Sequence, residues 1–278
     1  MRLATIRTSE GTRAVRLDGE HHIDLGFADL GQLFAQPGWQ QLAAAPTAAT
    51  ATSYPVATAD FAPVVLAPSK VICTGLNYTN HIMEGAGVLP DYPVLFPKFA
   101  ETLLGANDDI VRPPETEQLD WEVELAVVIG ATVRRADEAQ ASAAIAGFSV
   151  LNDVSVRDWQ SRTREWSQGK IWEATTPVGP YVVTPDEVGG VRPALRVSTT
   201  VDGQIMQDDN TGDLLFDPVH LVRYISTVLS LKPGDIIATG TPAGVGTARR
   251  PKLFLQPGQV MSTSIEHLGT CTNRVLGA

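Results

Sequence analysis

The chain has 278 residues and a mass of 29.7 kDa, with 21 Lys+Arg against 31 Asp+Glu and a formal charge of −10. With 44% hydrophobic and 19% charged residues the composition is globular, and the length can bury a core without disulfides or a structural metal. The acidic balance argues against general binding to nucleic acid or anionic lipid, both of which need basic surface.

Cys73 and Cys271 have neither zinc-type nor redox-type spacing, which suits a reduced compartment. No apolar signal-peptide core follows Met1, and the Ala/Thr stretch at 43–59 carries Pro46 and Pro55 and could not span a bilayer. A soluble, cytoplasmic protein with no membrane contact is expected.

In chain order, residues 3–8 and 14–17 read as short strands, with Asp18-Gly19 as a turn. Residues 43–69, low in complexity and then rich in proline, read as a segment joining a small N-terminal domain (1–65, linker included) to a larger body (66–278). A surface loop within one domain is the alternative. Residues 71–74 read as a strand closed by Gly75. Residues 121–129 form a strand that starts with strict alternation and ends as a buried run. Residues 136–146 suggest a short helix and 148–151 a buried strand. Residues 195–201 and 204–207 form a hairpin about Asp202-Gly203. Val219, Val222, Ile225, Val228 and Leu229 lie on one helix face, and residues 236–239 run as a strand into a glycine-rich loop. Strands outnumber helices without regular alternation, so the expected class is α+β, mostly β.

The segment Asp120-Trp121-Glu122-Val123-Glu124-Leu125 carries the most chemistry. On a strand Glu122 and Glu124 share one face while Val123 and Leu125 take the other. Two carboxylates entering a core repel unless a proton or cation lies between them, and oxygen ligands suit Mg²⁺ or Mn²⁺ better than zinc. Two exposed glutamates on a strand edge are the plainer reading. Further on, a helix from Asn152 would put Asp153, Arg157 and Gln160 on one face, offering a ligand, a guanidinium fork and an amide. An Asp–Arg pair across one turn is the modest alternative. Lys170 sits between Gly169, a hinge, and an apolar strand at Ile171-Trp172. His81 and Glu84 have the i, i+3 spacing that lets a carboxylate orient an imidazole as general base, and Gly85 and Gly87 give that segment the hinges of a lid. The 240–246 loop lacks a P-loop lysine and is not read as a nucleotide site.

The ordered set resembles the fumarylacetoacetate hydrolase family. The matching pieces are Gly75-Leu76-Asn77-Tyr78 with His81 and Glu84, Asp120 to Leu125, Asn152-Asp153-Val154-Ser155-Val156-Arg157-Asp158, Gln160, Gly169-Lys170, Gly179-Pro180 and Thr239 to Gly246. Several independent motifs occur in the family's order over residues 70–273. Residues 1–65 resemble the small N-terminal domain of the shorter bacterial members.

The resemblance implies a mixed β-roll, a small N-terminal α/β domain, a homodimer, and Mg²⁺ or Mn²⁺ held by Glu122, Glu124 and Asp153. Arg157, Gln160, Lys170 and Thr241 match positions around substrate or the metal's supporting shell, and Lys98 and Tyr78 match further family positions near substrate. His81 and Glu84 match a catalytic dyad that orders over substrate on a short helix, with Lys170 stabilising negative charge. The implied substrate is a small anionic oxo acid. Hydrolytic C–C cleavage of an acylpyruvate, such as fumarylpyruvate from aromatic degradation, leads. Decarboxylation or isomerisation of oxaloacetate or a related oxo acid is the alternative, and a non-catalytic binding protein on the same fold is the third reading.

Overall fold

The computed structural model describes residues 1–48, 50–85 and 87–278, and the side chains of all of these except His81, Glu84 and Gly85. At its centre runs the strand Val123–Ile129, whose β-branched and apolar residues are all buried. It pairs antiparallel with Ile145–Asn152 on one side and Ile236–Ala238 on the other. Ile236–Ala238 continues in parallel to Val71–Gly75, and Val94–Lys98 ends that side of the sheet. In the other direction Ile145–Asn152 pairs with Thr176–Val183, which pairs with Arg2–Thr8. Gly11–Asp18, His21–Asp24 and Ser53–Pro55 then complete a main path within a 12-stranded mixed sheet.

A second sheet of five strands, running from Gln204–Asn210 to Ile110–Arg112, covers one face of the centre. Val123, Leu125 and Val127 pack with Val197, Ile265 and Cys271 of that sheet. Ala126 and Val128 point oppositely, into a cluster with Leu30, Leu33, Phe34 and Trp39. This period of two is the alternation read from the sequence, and it places Glu124 on the Ala126 side. The fold is α+β, mostly β, with mixed sheets, as expected.

The helices Glu138–Ala144 and Pro218–Val228 are both capped by side chains. Asp137 and Gln140 form a capping box before Glu138–Ala144. Asp217 caps Pro218–Val228, where Val219, Val222 and Ile225 are buried and Val228 is exposed, contrary to its expected place on the inner face. Among the described residues no helix is long and apolar enough to cross a membrane.

Several local expectations differ from the structure. Residues 43–69 include two short strands, and Asp60–Phe61 pairs with Arg2–Thr8. The central ladder begins at Val123 rather than 121. Leu119–Asp120 pairs instead with Ser155–Val156 in a separate two-stranded sheet, leaving Trp121 and Glu122 between the two ladders. The chain after Asn152 is not helical until Arg157–Gln160, because Val154 and Val156 bury with Leu119 and Trp121 in a strand-type packing. The apolar strand expected at Ile171-Trp172 is also absent. Lys170 follows a 3₁₀ turn, Trp166–Gly169, and Gly169 is a close-packing glycine whose added Cβ would lie 2.4 Å from Gln160 Cβ.

Candidate active site

Glu122, Glu124 and Asp153 converge where the central ladder begins. One carboxylate oxygen from each lies within 4.8 Å of the others, and all three side chains are buried. Asp153 arrives without a helix. Its backbone N–H donates to the Glu122 carbonyl at 2.9 Å, and the Glu122 N–H donates to Asn152 Oδ1 at 2.9 Å. This stitching across the strand ends fixes the two acids against each other. Glu124 comes from within the strand and accepts the Gly240 N–H at Oε2, 2.7 Å away.

Three buried cations brace the acids. Lys170 Nζ bridges Glu122 Oε2 at 2.8 Å and Asp153 Oδ2 at 2.7 Å. Lys98 Nζ holds the other Asp153 oxygen at 2.6 Å. Arg157 joins Glu122 Oε1 through Nη2 and Asp120 Oδ2 through Nε, both at 2.7 Å, and donates from Nη1 to Gln160 Oε1 at 2.9 Å. Arg157 therefore braces Glu122 and aims the Gln160 amide.

The electrostatics follow from these contacts. Burial pushes the Glu122 carboxyl up, but the charges of Lys170 and Arg157 outweigh it and hold the group at about 2. Burial would strip the proton from Lys170, yet Asp153 and Glu122 overcome it and raise its pKa, so Lys170 is a fixed cation and not a base. Glu124 behaves oppositely. Burial first, then the charges of Asp153 and Glu122, hold its pKa well above the carboxylate range. Among the described residues Glu124 has no ion-pair partner. Asp120, Glu122 and Asp153 thus balance Lys98, Arg157 and Lys170 one for one, and Glu124 is the acid left over, holding its proton until a positive charge replaces it. An oxygen-only cluster with a fourth acid that ionises only when a positive charge displaces its proton fits a hard divalent cation.

A cleft of about 140 Å³ opens onto this cluster, lined on its charged side by Glu122, Glu124, Arg157, Gln160, Lys170 and Thr241. Thr241 is set by Gln207, whose Nε2 donates to its Oγ1 at 2.8 Å while its Oε1 accepts the Val123 N–H at 3.0 Å. Two residues expected at substrate lie elsewhere. Lys98 is fully buried behind Asp153, and Tyr78 is fully buried outside the cleft lining, where burial raises its phenol pKa. His81 and Glu84 fall on the expected helix, Thr79–Gly85, and their side chains lie outside the described residues.

The sequence reading missed Phe96, Trp166 and the amide of Gly240. One signal for the last was present: both parallel strands run out into Thr-Gly, Thr74-Gly75 at the end of one and Thr239-Gly240 just past the other. The register Ala238↔Cys73 sets these ends side by side. Gly240 has φ +97°, and a Cβ there would lie 2.9 Å from Asn77 Cβ and the Thr74 carbonyl.

Residues 70–276 match the family described as Fumarylacetoacetate (FAA) hydrolase C-terminal, so the chain belongs to the fumarylacetoacetate hydrolase family and is an enzyme of that superfamily. It is 41% identical over 233 residues to the mitochondrial oxaloacetate tautomerase FAHD2A of Bos taurus, covering 82% of this chain and 74% of that protein. Its fold is similar to the fumarylacetoacetate hydrolase of psychrophilic Exiguobacterium antarcticum, with TM-score 0.88, 32% identity and 100% of both chains covered. The 5-carboxymethyl-2-hydroxymuconate delta-isomerase of Mycobacterium smegmatis aligns with TM-score 0.82, 33% identity and 100% of both chains.

Proposed function

We propose that the enzyme interconverts the enol and keto forms of a small 2-oxo acid of the oxaloacetate type. The observation that carries this reading is the small charged cleft. Its volume of about 140 Å³ lies far below the roughly 300–1,000 Å³ of drug-sized sites, and it presents Lys170, Gln160 and Thr241 beside Glu122 and Glu124. The name of the Bos taurus relative supports it.

Glu122, Glu124 and Asp153 would hold Mg²⁺ or Mn²⁺, which supplies Lewis-acid stabilisation of negative charge on the oxo-acid oxygens. Lys170, held protonated, and the Gln160 amide face the charge that gathers on the 2-oxo oxygen as the C3–H bonding pair becomes the enolate double bond. Lys98 and Arg157 act through Asp153 and Glu122 as positioning residues. His81, oriented by Glu84, would carry the proton between C3 and water. All of these residues lie in 66–278, which we read as the catalytic domain, with 1–65 as a small supporting domain.

Hydrolytic cleavage of an acylpyruvate becomes the second reading. It is favoured by the His81–Glu84 spacing, which equally suits activation of water, and by the likeness to the Exiguobacterium hydrolase. With Mg²⁺ or Mn²⁺ the purified enzyme should speed the loss of enol absorbance from freshly dissolved oxaloacetate and exchange its C3 hydrogens for deuterium. Rapid cleavage of acylpyruvates without either effect would reverse the order of the two readings.

We further read the assembly as a homodimer. Val94–Lys98 is an open sheet edge, and beside it an apolar groove of about 380 Å³ is lined by Val71, Ile72, Leu95, Pro97, Val228 and Leu229. Light scattering should give twice the 29.7 kDa of one chain, and a monomer at micromolar concentration would refute the reading.

A further inference from the structure

The cleft has a second side that the chemistry above leaves unused. Besides the charged groups it is lined by the apolar Phe96, Trp166, Gly75 and Leu76, with Phe96 facing the Lys170 ammonium. The Trp166 indole meets the Phe96 ring edge-on, with centroids 5.7 Å apart at 72°. It lies directly on Gly75: a Cβ there would fall 2.2 Å from Trp166 Cζ3, so only glycine leaves the indole its seat.

Trp166 is also tied to the charged side. It begins the turn Trp166–Gly169 that delivers Lys170, and the Lys170 N–H donates to the Ser167 carbonyl at 2.9 Å. Gly169 is wedged against Gln160, so indole, ammonium and amide are held as one piece. The span between the two sides is short. Lys170 Nζ lies 5.2 Å from the Phe96 ring centroid, and a four-carbon chain is itself about 4 Å from end to end at ~1.5 Å per bond.

We propose that Trp166, backed by Phe96 and seated on Gly75, is the specificity-determining wall that restricts the enzyme to short oxo acids. The proposal rests on the oxo-acid reading of the charged side and adds to it the residue that sets chain length. A substrate held by its carboxylate and 2-oxo oxygens near Lys170 directs its C3 substituent at the indole. A compact substituent packs against the aromatic edges, whereas a phenyl group collides with them.

Calorimetric titration of the full chain in saturating Mg²⁺ tests this with two probes. Oxalate occupies only the charged side, and phenylpyruvate adds a bulky C3 substituent. Trp166→Ala should tighten phenylpyruvate on the order of 10-fold or more and change oxalate by less than about threefold, the scale on which hydrophobic pockets discriminate size. Trp166→Leu should shift the ratio the same way, and retained oxalate binding reports an intact site in either variant. Oxalate binding with an unchanged probe ratio would overturn the wall and leave the oxo-acid reading standing. Failure of the wild-type protein to bind oxalate would overturn both.

Discussion

Lys170→Met should destabilise the metal-free protein by about 3–5 kcal/mol, the usual cost of breaking a buried ion pair, and should enlarge its thermal response to Mg²⁺. Lys170 Nζ is the cation shared by Glu122 Oε2 and Asp153 Oδ2, and it is almost fully buried. Removing it leaves the two carboxylates facing each other with nothing between them. At roughly 2–4 °C per kcal/mol for a chain of this size, the melting temperature should fall by roughly 10 °C. A divalent cation then takes over the neutralisation that Lys170 supplied between them, while Lys98 and Arg157 stay on the outer oxygens. The gain in melting temperature on adding Mg²⁺ should therefore exceed that of the wild type, while activity is lost with the fixed positive charge.

Glu124→Gln should do the reverse. Burial, Asp153 and Glu122 already disfavour the Glu124 carboxylate, and a glutamine can still accept the Gly240 N–H. The metal-free melting temperature should hold or rise, and the Mg²⁺ response should vanish. Differential scanning calorimetry of the two variants with EDTA and with Mg²⁺ reads both signs. Equal Mg²⁺ responses in wild type and both variants would remove the metal assignment from these acids.

Local pattern made the acids legible, and distance in sequence hid their partners. Alternation read over Glu122-Val123-Glu124-Leu125 paired the two glutamates, and from Val123 onward the ladder keeps that parity down to the apolar residues of the two core clusters. Asp153 was found through its motif, but the helix invoked for it does not form. Short-range periodicity cannot register that Val154 and Val156 bury against Leu119 and Trp121. Lys98 was legible only as a family lysine. Its role depends on reaching Asp153, 55 residues away, across strands whose order the sequence does not announce. Gly169 shows the same limit: a glycine before a lysine reads as a hinge until Gln160 is found packed against it. Trp166 carried no signal at all, since an isolated tryptophan is ordinarily core, and only the bare Cα of Gly75 packed beneath it gives it a purpose.

His81→Ala should lower both enol–keto interconversion and any acylpyruvate cleavage on the order of 10² to 10⁴-fold, the range for loss of a positioned acid–base group. The helix Thr79–Gly85 that carries His81 is pinned at its start, where the Asn80 N–H donates to Asp213 Oδ2 at 3.1 Å and Thr79 Oγ1 to the Asp213 carbonyl at 3.3 Å. Ile82 is buried beneath it. None of these contacts uses the imidazole, so the variant should fold, and its melting temperature should still rise with Mg²⁺. Decarboxylation of oxaloacetate should fall least, because loss of CO₂ needs an electron sink at the 2-oxo oxygen but no base to take a proton from carbon or water. Glu84→Gln should have a smaller effect in the same direction, since it weakens the orientation of the imidazole and keeps the ring. Loss of cleavage with intact enol–keto exchange would make His81 a water-activating base and restore hydrolysis as the leading reading. If neither rate falls, the dyad has no catalytic role, and the proton must be carried by a group in the cleft itself.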